Sequence, residues 1–338
     1  MELKGQATPV AEEVADDLGG GGYGAFSASA NDVLVYWRSS ATPDRQLTWY
    51  DRQGKALGTA GEPGDYQELA LSPDGTRVVL MKKSGQASNI WLQDLSRDTS
   101  TRFTFGSEID SYPVWSPDGS RIIFSSGINL YQKSTSGVKD AELLLKSTEA
   151  PYAAESWSRD GRFLLYAAYD AKTRWDIWVL PLERDKKPVP FLVTEFRERD
   201  PRFSPDGHWV AYISDESGHY EIYVRSFAMN AAGTAVEAGG KWKISNGYGR
   251  QPRWRGDGRE LYYRAQDGQV MAVEVATNPE FRPGKPRPLG FAAGASDTAW
   301  DCTADGRRFL VATPKTTGKG DRPEPYTVIL NWQAGLKK

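Results

Sequence analysis

The chain has 338 residues, of which 39% are hydrophobic and 25% charged, so it can bury the core of one large or two medium domains. Its 42 basic and 44 acidic side chains nearly cancel, which argues against a nucleic-acid or polyanion binder. A single Cys excludes an intramolecular disulfide and the Cys-rich zinc sites. No apolar run is long enough to span a membrane, and the polar sequence after Met1–Lys4 predicts no signal peptide.

Near the N-terminus, the glycine-rich segment Gly19–Gly24 formally satisfies the G-x-G-x-x-G pattern of dinucleotide-binding proteins. No strand is predicted directly before it and no helix after it, and no Lys-Ser or Lys-Thr pair closes it as a phosphate-binding loop. We therefore interpret this segment as a linker between two strands.

One short phrase then recurs along the chain: a hydrophobic residue followed by Ser-Pro-Asp-Gly or a close variant. Its copies begin at Leu71, Trp115, Trp157, Phe203, Trp254 and Cys302, after a degenerate copy at Ser29–Asp32. The copies lie roughly 45 residues apart, close to the period of a four-stranded propeller blade. Ser-Pro-Asp-Gly fits a type I turn, because Pro presets φ at its second position and Gly is favoured at its fourth.

Strand signals surround each turn. The first full copy is followed by the β-branched run Val78–Leu80, then by Asn89–Leu92, and finally by the weaker strand Thr101–Phe105. No long segment shows the periodicity of an amphipathic helix. Short strands at regular spacing, separated by turn signals, predict an all-β repeat architecture.

The two ends of the chain are predicted to meet. The last copy offers only three strands: one before Asp305, then Arg308–Ala312 and Tyr326–Trp332. A fourth strand from Gln6–Val10 would remove the open edge of that blade. The sequence thus predicts one domain over residues 1–338, a seven-bladed β-propeller of four-stranded blades whose last blade is closed by the N-terminal strand. Six blades are the alternative, because the first copy is degenerate.

The full phrase, followed by Asp/Asn-Ile-Trp/Tyr-Val as in Asp176–Val179, resembles the PD40 repeat of TolB-like propellers, which belong to the WD40-like group. A closer resemblance is to the C-terminal propeller of bacterial membrane-anchored serine/threonine kinases. It is carried by Gln46–Arg52, Gly61–Tyr66, Ser100–Phe105 and Val328–Trp332. That resemblance implies an extracytoplasmic, periplasmic or cell-surface, sensor domain that follows a kinase and a membrane anchor. The sequence contains none of the kinase motifs, so this chain is expected not to phosphorylate a substrate by that mechanism.

No complete catalytic set is visible in the sequence. There is no Gly-x-Ser-x-Gly elbow, and neither His208 nor His219 has a nucleophile or an orienting partner nearby in the sequence. Cys302 takes a position that is apolar in the other copies, which predicts a buried small hydrophobe. The repeated Asp residues are predicted to bond within their own turns, since oxygens spread around a ring cannot converge on calcium. We therefore expect no catalytic residue, no metal and no cofactor.

The residues that lead into the inner strands form the candidate binding site. In a propeller they lie on the face opposite the Ser-Pro-Asp-Gly turns, around the mouth of the central channel. The candidates are Tyr66, Asp110, Tyr112, Tyr152, Arg199, Asp200, Arg250, Gln251, Asp297 and Trp300. Aromatic rings beside hydrogen-bonding groups of both charges suit a small polar molecule or a peptide.

The sequence favours a monomeric, non-catalytic ligand- or protein-binding propeller, a sensor or scaffold. Three alternatives stay open. In the first, the candidates are ordinary hydrated channel residues. In the second, the same face is a protein-docking scaffold and carries an apolar patch. The third is a lyase-like or glycosidase-like enzyme whose acid and base come from Asp110, Asp200 and Asp297.

Overall fold

The computed structural model describes residues 26–29, 31–36, 45–84, 87–137, 139–183, 186–237, 239–277, 280–293, 299–315 and 327–330. The chain divides into two compact units, of which one comprises residues 45–313 and the other the segments before and after it. All regular elements of the described residues are strands. No helix long and apolar enough to span a membrane occurs in this part of the chain.

The unit formed by the two end segments contains one three-stranded sheet. Its strands are, in spatial order, β1 (Phe26–Ala28), β2 (Val33–Tyr36) and β28 (Thr327–Leu330). The degenerate copy of the repeated phrase makes the turn between β1 and β2. There Ser29 Oγ accepts hydrogen bonds from the backbone N–H groups of Asn31 and Val33, both at 3.3 Å.

Residues 45–313 form six sheets, and five of them follow one another along the chain. The first contains β5 (Tyr66–Leu71), β6 (Arg77–Ser84), β7 (Ala87–Asp94) and β8 (Thr99–Arg102). The second contains β9 (Asp110–Trp115), β10 (Arg121–Ser126), β11 (Asn129–Ser134) and β12 (Glu142–Leu145). The third contains β13 (Tyr152–Trp157), β14 (Phe163–Asp170), β15 (Arg174–Pro181) and β16 (Val189–Leu192).

The next two sheets repeat this order. The fourth contains β17 (Glu198–Phe203), β18 (Trp209–Ser214), β19 (Glu221–Ser226) and β20 (Lys241–Lys243). The fifth contains β21 (Arg250–Trp254), β22 (Glu260–Arg264), β23 (Gln269–Ala276), β24 (Arg282–Pro283) and β25 (Arg287–Ala292). Within these five sheets every pair of neighbouring strands is antiparallel, and the repeated phrase joins the first strand to the second.

The polar side chains of each turn form hydrogen bonds within that turn. In the copy at Trp115, the Gly119 N–H donates to the Ser116 carbonyl at 2.9 Å. The Asp118 carboxylate accepts hydrogen bonds from the Ser116 hydroxyl and from the Ser120 N–H, and these bonds lower its pKa to about 2. The Asp oxygens are thus engaged within the turn, as the sequence predicts.

The second strand of a sheet is buried on both faces, which explains its continuous apolar run. In β6, Val78 and Leu80 pack against Leu310 of one neighbouring sheet, whereas Val79 packs against Ile122 of the other. All three β6 side chains have no exposed surface. The sheets are therefore held to one another mainly by hydrophobic burial, side by side around a common centre.

The sixth sheet joins the two ends of this unit. It contains, in spatial order, β26 (Trp300–Cys302), β27 (Arg308–Pro314), β3 (Arg45–Asp51) and β4 (Ala56–Gly64). The hydroxyls of Thr48 and Thr313 lie 2.9 Å apart across the β3–β27 junction, and Leu47 packs in one cluster with Leu310 and Ala312.

The expectation that Tyr326–Trp332 would be the third strand of this sheet was wrong, because Thr327–Leu330 pairs with β2 instead. The third position requires a side chain that fills the space between two sheets. Leu47 is fully buried there, whereas Val328 and Leu330 are mostly exposed in their own sheet. The predicted closing strand, Gln6–Val10, lies outside the described residues.

The six sheets of residues 45–313 form a closed ring. Neighbouring inner strands contact one another from β26 through β5, β9, β13 and β17 to β21. A hydrogen bond of 3.0 Å from Trp300 Nε1 to Gln251 Oε1 links β26 back to β21. The all-β propeller fold is thus confirmed. The predicted count of seven blades is not, since this unit closes with six sheets and the three-stranded sheet belongs to the other unit.

Candidate functional site

The inner strands enclose a channel that widens into two cavities. The larger has a volume of about 750 Å³ and is lined by residues of the repeated turns, among them Pro73, Pro117 and Pro205. We call it the turn-side cavity. The smaller, of about 450 Å³, is lined by Met81 and Lys83 near the β6–β7 turn, and we call it the loop-side cavity. Five residues line both cavities and define what we call the waist: Gln67, Glu68, Tyr112, Asp200 and Gln251.

Three waist residues are placed by the same backbone feature. Tyr112, Asp200 and Gln251 each precede a proline in an inner strand, and their φ angles are 52°, 51° and 54°. The pairing of each inner strand with its neighbour shifts at this point, which is a β-bulge. A left-handed conformation at a non-glycine residue costs roughly 1–2 kcal/mol. Strain retained at three corresponding positions points to a role for these side chains in the channel.

The waist contains a buried acid, Glu68. Its carboxylate accepts a hydrogen bond from the backbone N–H of Tyr112. Burial raises the pKa of Glu68 to about 7, and the nearby guanidinium groups of Arg199 and Arg202 only partly oppose that rise. Burial also raises the pKa of Tyr112 to about 12, so this phenol remains neutral.

A second acid, Glu155, lines the turn-side cavity. Its side chain is almost fully buried, with Oε2 3.0 Å from Arg202 Nη1 and Oε1 without a hydrogen-bond partner among the described residues. Burial raises the pKa of Glu155 to about 7. The channel therefore holds two carboxyl groups that change charge near neutral pH.

Further charges in the turn-side cavity are paired with each other. Arg253 Nε lies 3.4 Å from Asp301 Oδ1, and Asp301 Oδ2 accepts a hydrogen bond from the Leu71 N–H at 2.9 Å. Burial lowers the pKa of Arg253. Within the described residues, no group of three or more His, Cys, Asp or Glu side chains is placed to hold a metal ion.

The loop-side cavity carries two stacked guanidinium groups. Arg199 lies 4.5 Å above the ring of Trp175, and Arg250 lies 4.5 Å above the ring of Tyr220. The Arg199 Nη2 also donates a hydrogen bond of 3.1 Å to the Tyr112 hydroxyl at the waist. Stacking on a ring fixes the plane of a guanidinium, and the Nε–H of Arg199 has no hydrogen-bond partner among the described residues.

Six of the ten predicted site residues line the channel. Tyr112, Asp200 and Gln251 are at the waist, Arg199 and Arg250 line the loop-side cavity, and Trp300 lines the turn-side cavity. Asp297 lies outside the described residues.

The other three candidates, Tyr66, Asp110 and Tyr152, do not line either cavity. Tyr66 and Asp110 are buried, and Tyr152 packs edge-on against Tyr166 at 5.1 Å. All three stand six residues before the first residue of their turn, one position before the one that Arg199 and Arg250 occupy in their own strands. Because successive side chains of a strand point to opposite faces, these three turn away from the cavity that the two arginines line.

The channel residues that the sequence prediction missed include the charged side chains of Glu68, Glu155, Arg202, Arg253 and Asp301. Arg202, Arg253 and Asp301 each stand two residues before the first residue of a turn, and Glu68 stands four before. If the copies are aligned on their turns, residues two and four positions before the turn lie on the same face of the inner strand, and this alignment would have found these four. Glu155 is the extra residue of its bulge, and no sequence signal marks it.

Comparisons with known proteins agree with the fold. No family model matches the chain. The uncharacterized peptidase YuxL of Bacillus subtilis is 27% identical over 45% of this chain, which is 31% of that protein. The structure of putative TolB from Agrobacterium tumefaciens has a TM-score of 0.58 at 18% identity, covering 80% of this chain and 98% of that one. An oligogalacturonate lyase in complex with manganese has a TM-score of 0.51 at 16% identity, covering 78% and 76%.

These likenesses establish a TolB-like β-propeller fold. The chain spans about a third or less of the length of the curated relatives that it matches.

Proposed function

We propose that this protein is a non-catalytic binding propeller whose channel holds a small polar molecule or a peptide at the waist. The observation that carries the proposal is the set of three strained bulges that direct Tyr112, Asp200 and Gln251 into the channel. A cavity lined by a few convergent polar groups is typical of a ligand site. The TolB-like fold is consistent with a binding role.

A ligand screen tests this proposal. Dipeptides and small organic acids would be screened by thermal shift, and each hit measured by calorimetry. Tyr112→Ala and Asp200→Asn should each weaken binding by about 1–3 kcal/mol. Arg308→Ala is the matched control, because Arg308 is exposed, stacks on Trp49 at 4.8 Å and lines neither cavity. Hits that bind equally well to both waist variants would contradict the proposal.

An enzymatic role is a second candidate, and Glu68 and Glu155 favour it. Two acids with a pKa near 7 in one channel are suited to general acid–base catalysis near neutral pH. Incubation with oligogalacturonate and Mn²⁺, followed by detection of unsaturated products, tests a lyase activity like that of the similar structure. Turnover that disappears in Glu68→Gln would favour the enzyme over the binding module.

We also infer that the protein is a monomeric, extracytoplasmic sensor or scaffold domain of a bacterial signalling protein. The support is its TolB-like fold together with the kinase-propeller motifs, such as Gln46–Arg52 and Val328–Trp332. Fusion of alkaline phosphatase to the natural gene product tests the location, since that reporter is active only after export. Size-exclusion chromatography with light scattering tests the monomer.

A further inference from the structure

The two stacked arginines of the loop-side cavity are made by one arrangement that occurs twice. Arg199 and Arg250 each stand five residues before the first residue of their turn, in the inner strands of adjacent sheets. Each guanidinium lies over an aromatic ring of the preceding sheet, Trp175 or Tyr220. Both rings come directly before an acidic residue in the third-strand segment. Two adjacent sheets thus present guanidinium groups at the same level of the same cavity.

The charges along the channel are ordered. Outside the waist, the charged residues among the described lining of the loop-side cavity are all cationic, namely Lys83, Arg199 and Arg250. The waist below them contributes the carboxyl groups of Glu68 and Asp200. An anion is therefore attracted to the loop-side cavity and repelled from passing further into the channel.

Arg199 also has unused hydrogen-bonding capacity. Its Nη2 donates to the Tyr112 hydroxyl, but its Nε is buried without a hydrogen-bond partner among the described residues. A buried N–H group without a partner is costly, and a bound acceptor would relieve that cost. The two parallel N–H donors of a guanidinium bind both oxygens of a planar carboxylate, which an ammonium group cannot do with the same geometry.

We propose that the loop-side cavity binds a small dicarboxylate, with one carboxylate on Arg199 and the other on Arg250. This inference rests on the proposed binding function and assigns a ligand class to the channel. A volume of about 450 Å³ accommodates such a molecule. The carboxyl groups of the waist repel the dicarboxylate and so limit how far it enters the channel.

Calorimetric titration with succinate and glutarate tests the inference, with butyrate as the probe that has one carboxylate. We expect a dicarboxylate to bind at least about tenfold more tightly than butyrate, because it engages both guanidinium groups. Arg199→Lys and Arg250→Lys should each weaken dicarboxylate binding about tenfold or more, since an ammonium group cannot replace a bidentate fork. Arg308→Lys, on the exposed arginine stacked on Trp49, should leave binding unchanged.

Two results would overturn the inference: no binding of either dicarboxylate to the intact chain, or full binding by both Lys variants. If a Lys variant fails to fold, Lys83→Gln replaces it in the test. Lys83 is exposed, so this substitution should leave the fold intact, and the loss of its charge should weaken dicarboxylate binding severalfold. Variants at the waist and at the two arginines distinguish a failure of this inference from a failure of the proposed function. Screening hits that depend on Tyr112 but not on Arg199 or Arg250 would sustain the binding function while removing the dicarboxylate assignment.

Discussion

At the scale of single residues, two glycines show why position in a turn does not by itself set the cost of replacement. Gly119 closes a full Ser-Pro-Asp-Gly turn with a φ of 68°, as the sequence predicts. Gly256 takes the place of Pro in a weaker copy, and the sequence predicts that its replacement is the cheaper one. In the structure, however, a Cβ on Gly256 would lie 2.7 Å from the Ala304 carbonyl oxygen of the next sheet.

We therefore expect both glycines to resist substitution, for different reasons. Gly119→Ala should lower the free energy of unfolding by roughly 1–2 kcal/mol through left-handed backbone strain. Gly256→Ala should lower it by about 1–3 kcal/mol, because the backbone bond from the Gly256 N–H to the Ala304 carbonyl, 2.8 Å long, must shift. Urea denaturation of the two variants measures both effects. A neutral Gly256→Ala would mean that the two turns are not in close contact.

At the scale of elements, closure of the ring depends on β3. Leu47 is fully buried among residues of the first and last sheets, whereas Leu57 of β4 is 47% exposed. Leu47→Ala should lower the free energy of unfolding by about 2–5 kcal/mol through the cavity that it leaves. Leu57→Ala is the matched control and should change it by less than about 0.5 kcal/mol. Equal, small effects would indicate that residues 45–64 do not close the ring.

The elements also show how far the sequence alone could lead. The repeated phrase predicted the all-β propeller, the turn chemistry and the order of strands within a sheet, because each is set by local backbone preferences. The sequence did not show in the same way which segment supplies the third strand of the sixth sheet. Arg45–Asp51 and Thr327–Leu330 are both plausible strands, and only packing against distant side chains decides that Leu47 fills the last sheet.

The candidate site was predictable to a similar degree. The inner strands and the arginines at the loop-side cavity followed from position in the repeat. The bulges did not, because a proline follows the bulge residue only at Tyr112, Asp200 and Gln251, whereas the bulged strands β5 and β13 contain no proline. Tyr66, Asp110 and Tyr152 were assigned to the channel although they stand one position before the one that Arg199 and Arg250 occupy, and Glu155, the extra residue of its bulge, was overlooked.

At the scale of the whole molecule, the channel brings groups from separate sheets into one electrostatic environment. Glu68 of the first sheet faces Tyr112 of the second and Arg199, Asp200 and Arg202 of the fourth. Its protonation therefore affects a ligand held by any of them. Because burial raises its pKa to about 7, Glu68 is mostly neutral below that pH and mostly charged above it.

This coupling predicts that dicarboxylate binding depends on pH. Above pH 7 the ionised Glu68 carboxylate repels an anion in the loop-side cavity, whereas below pH 7 the neutral form does not, so the affinity should rise as the pH falls from 8.5 to 6.5. Glu155, whose pKa is also about 7, adds to the same trend from the turn-side cavity. Succinate remains largely dianionic over this range, so the change reports on the protein. Calorimetry at both pH values should show a several-fold tighter complex at the lower one, and Glu68→Gln should reduce that difference. An affinity that stays the same or falls at the lower pH would mean that ionisation of Glu68 does not oppose dicarboxylate binding.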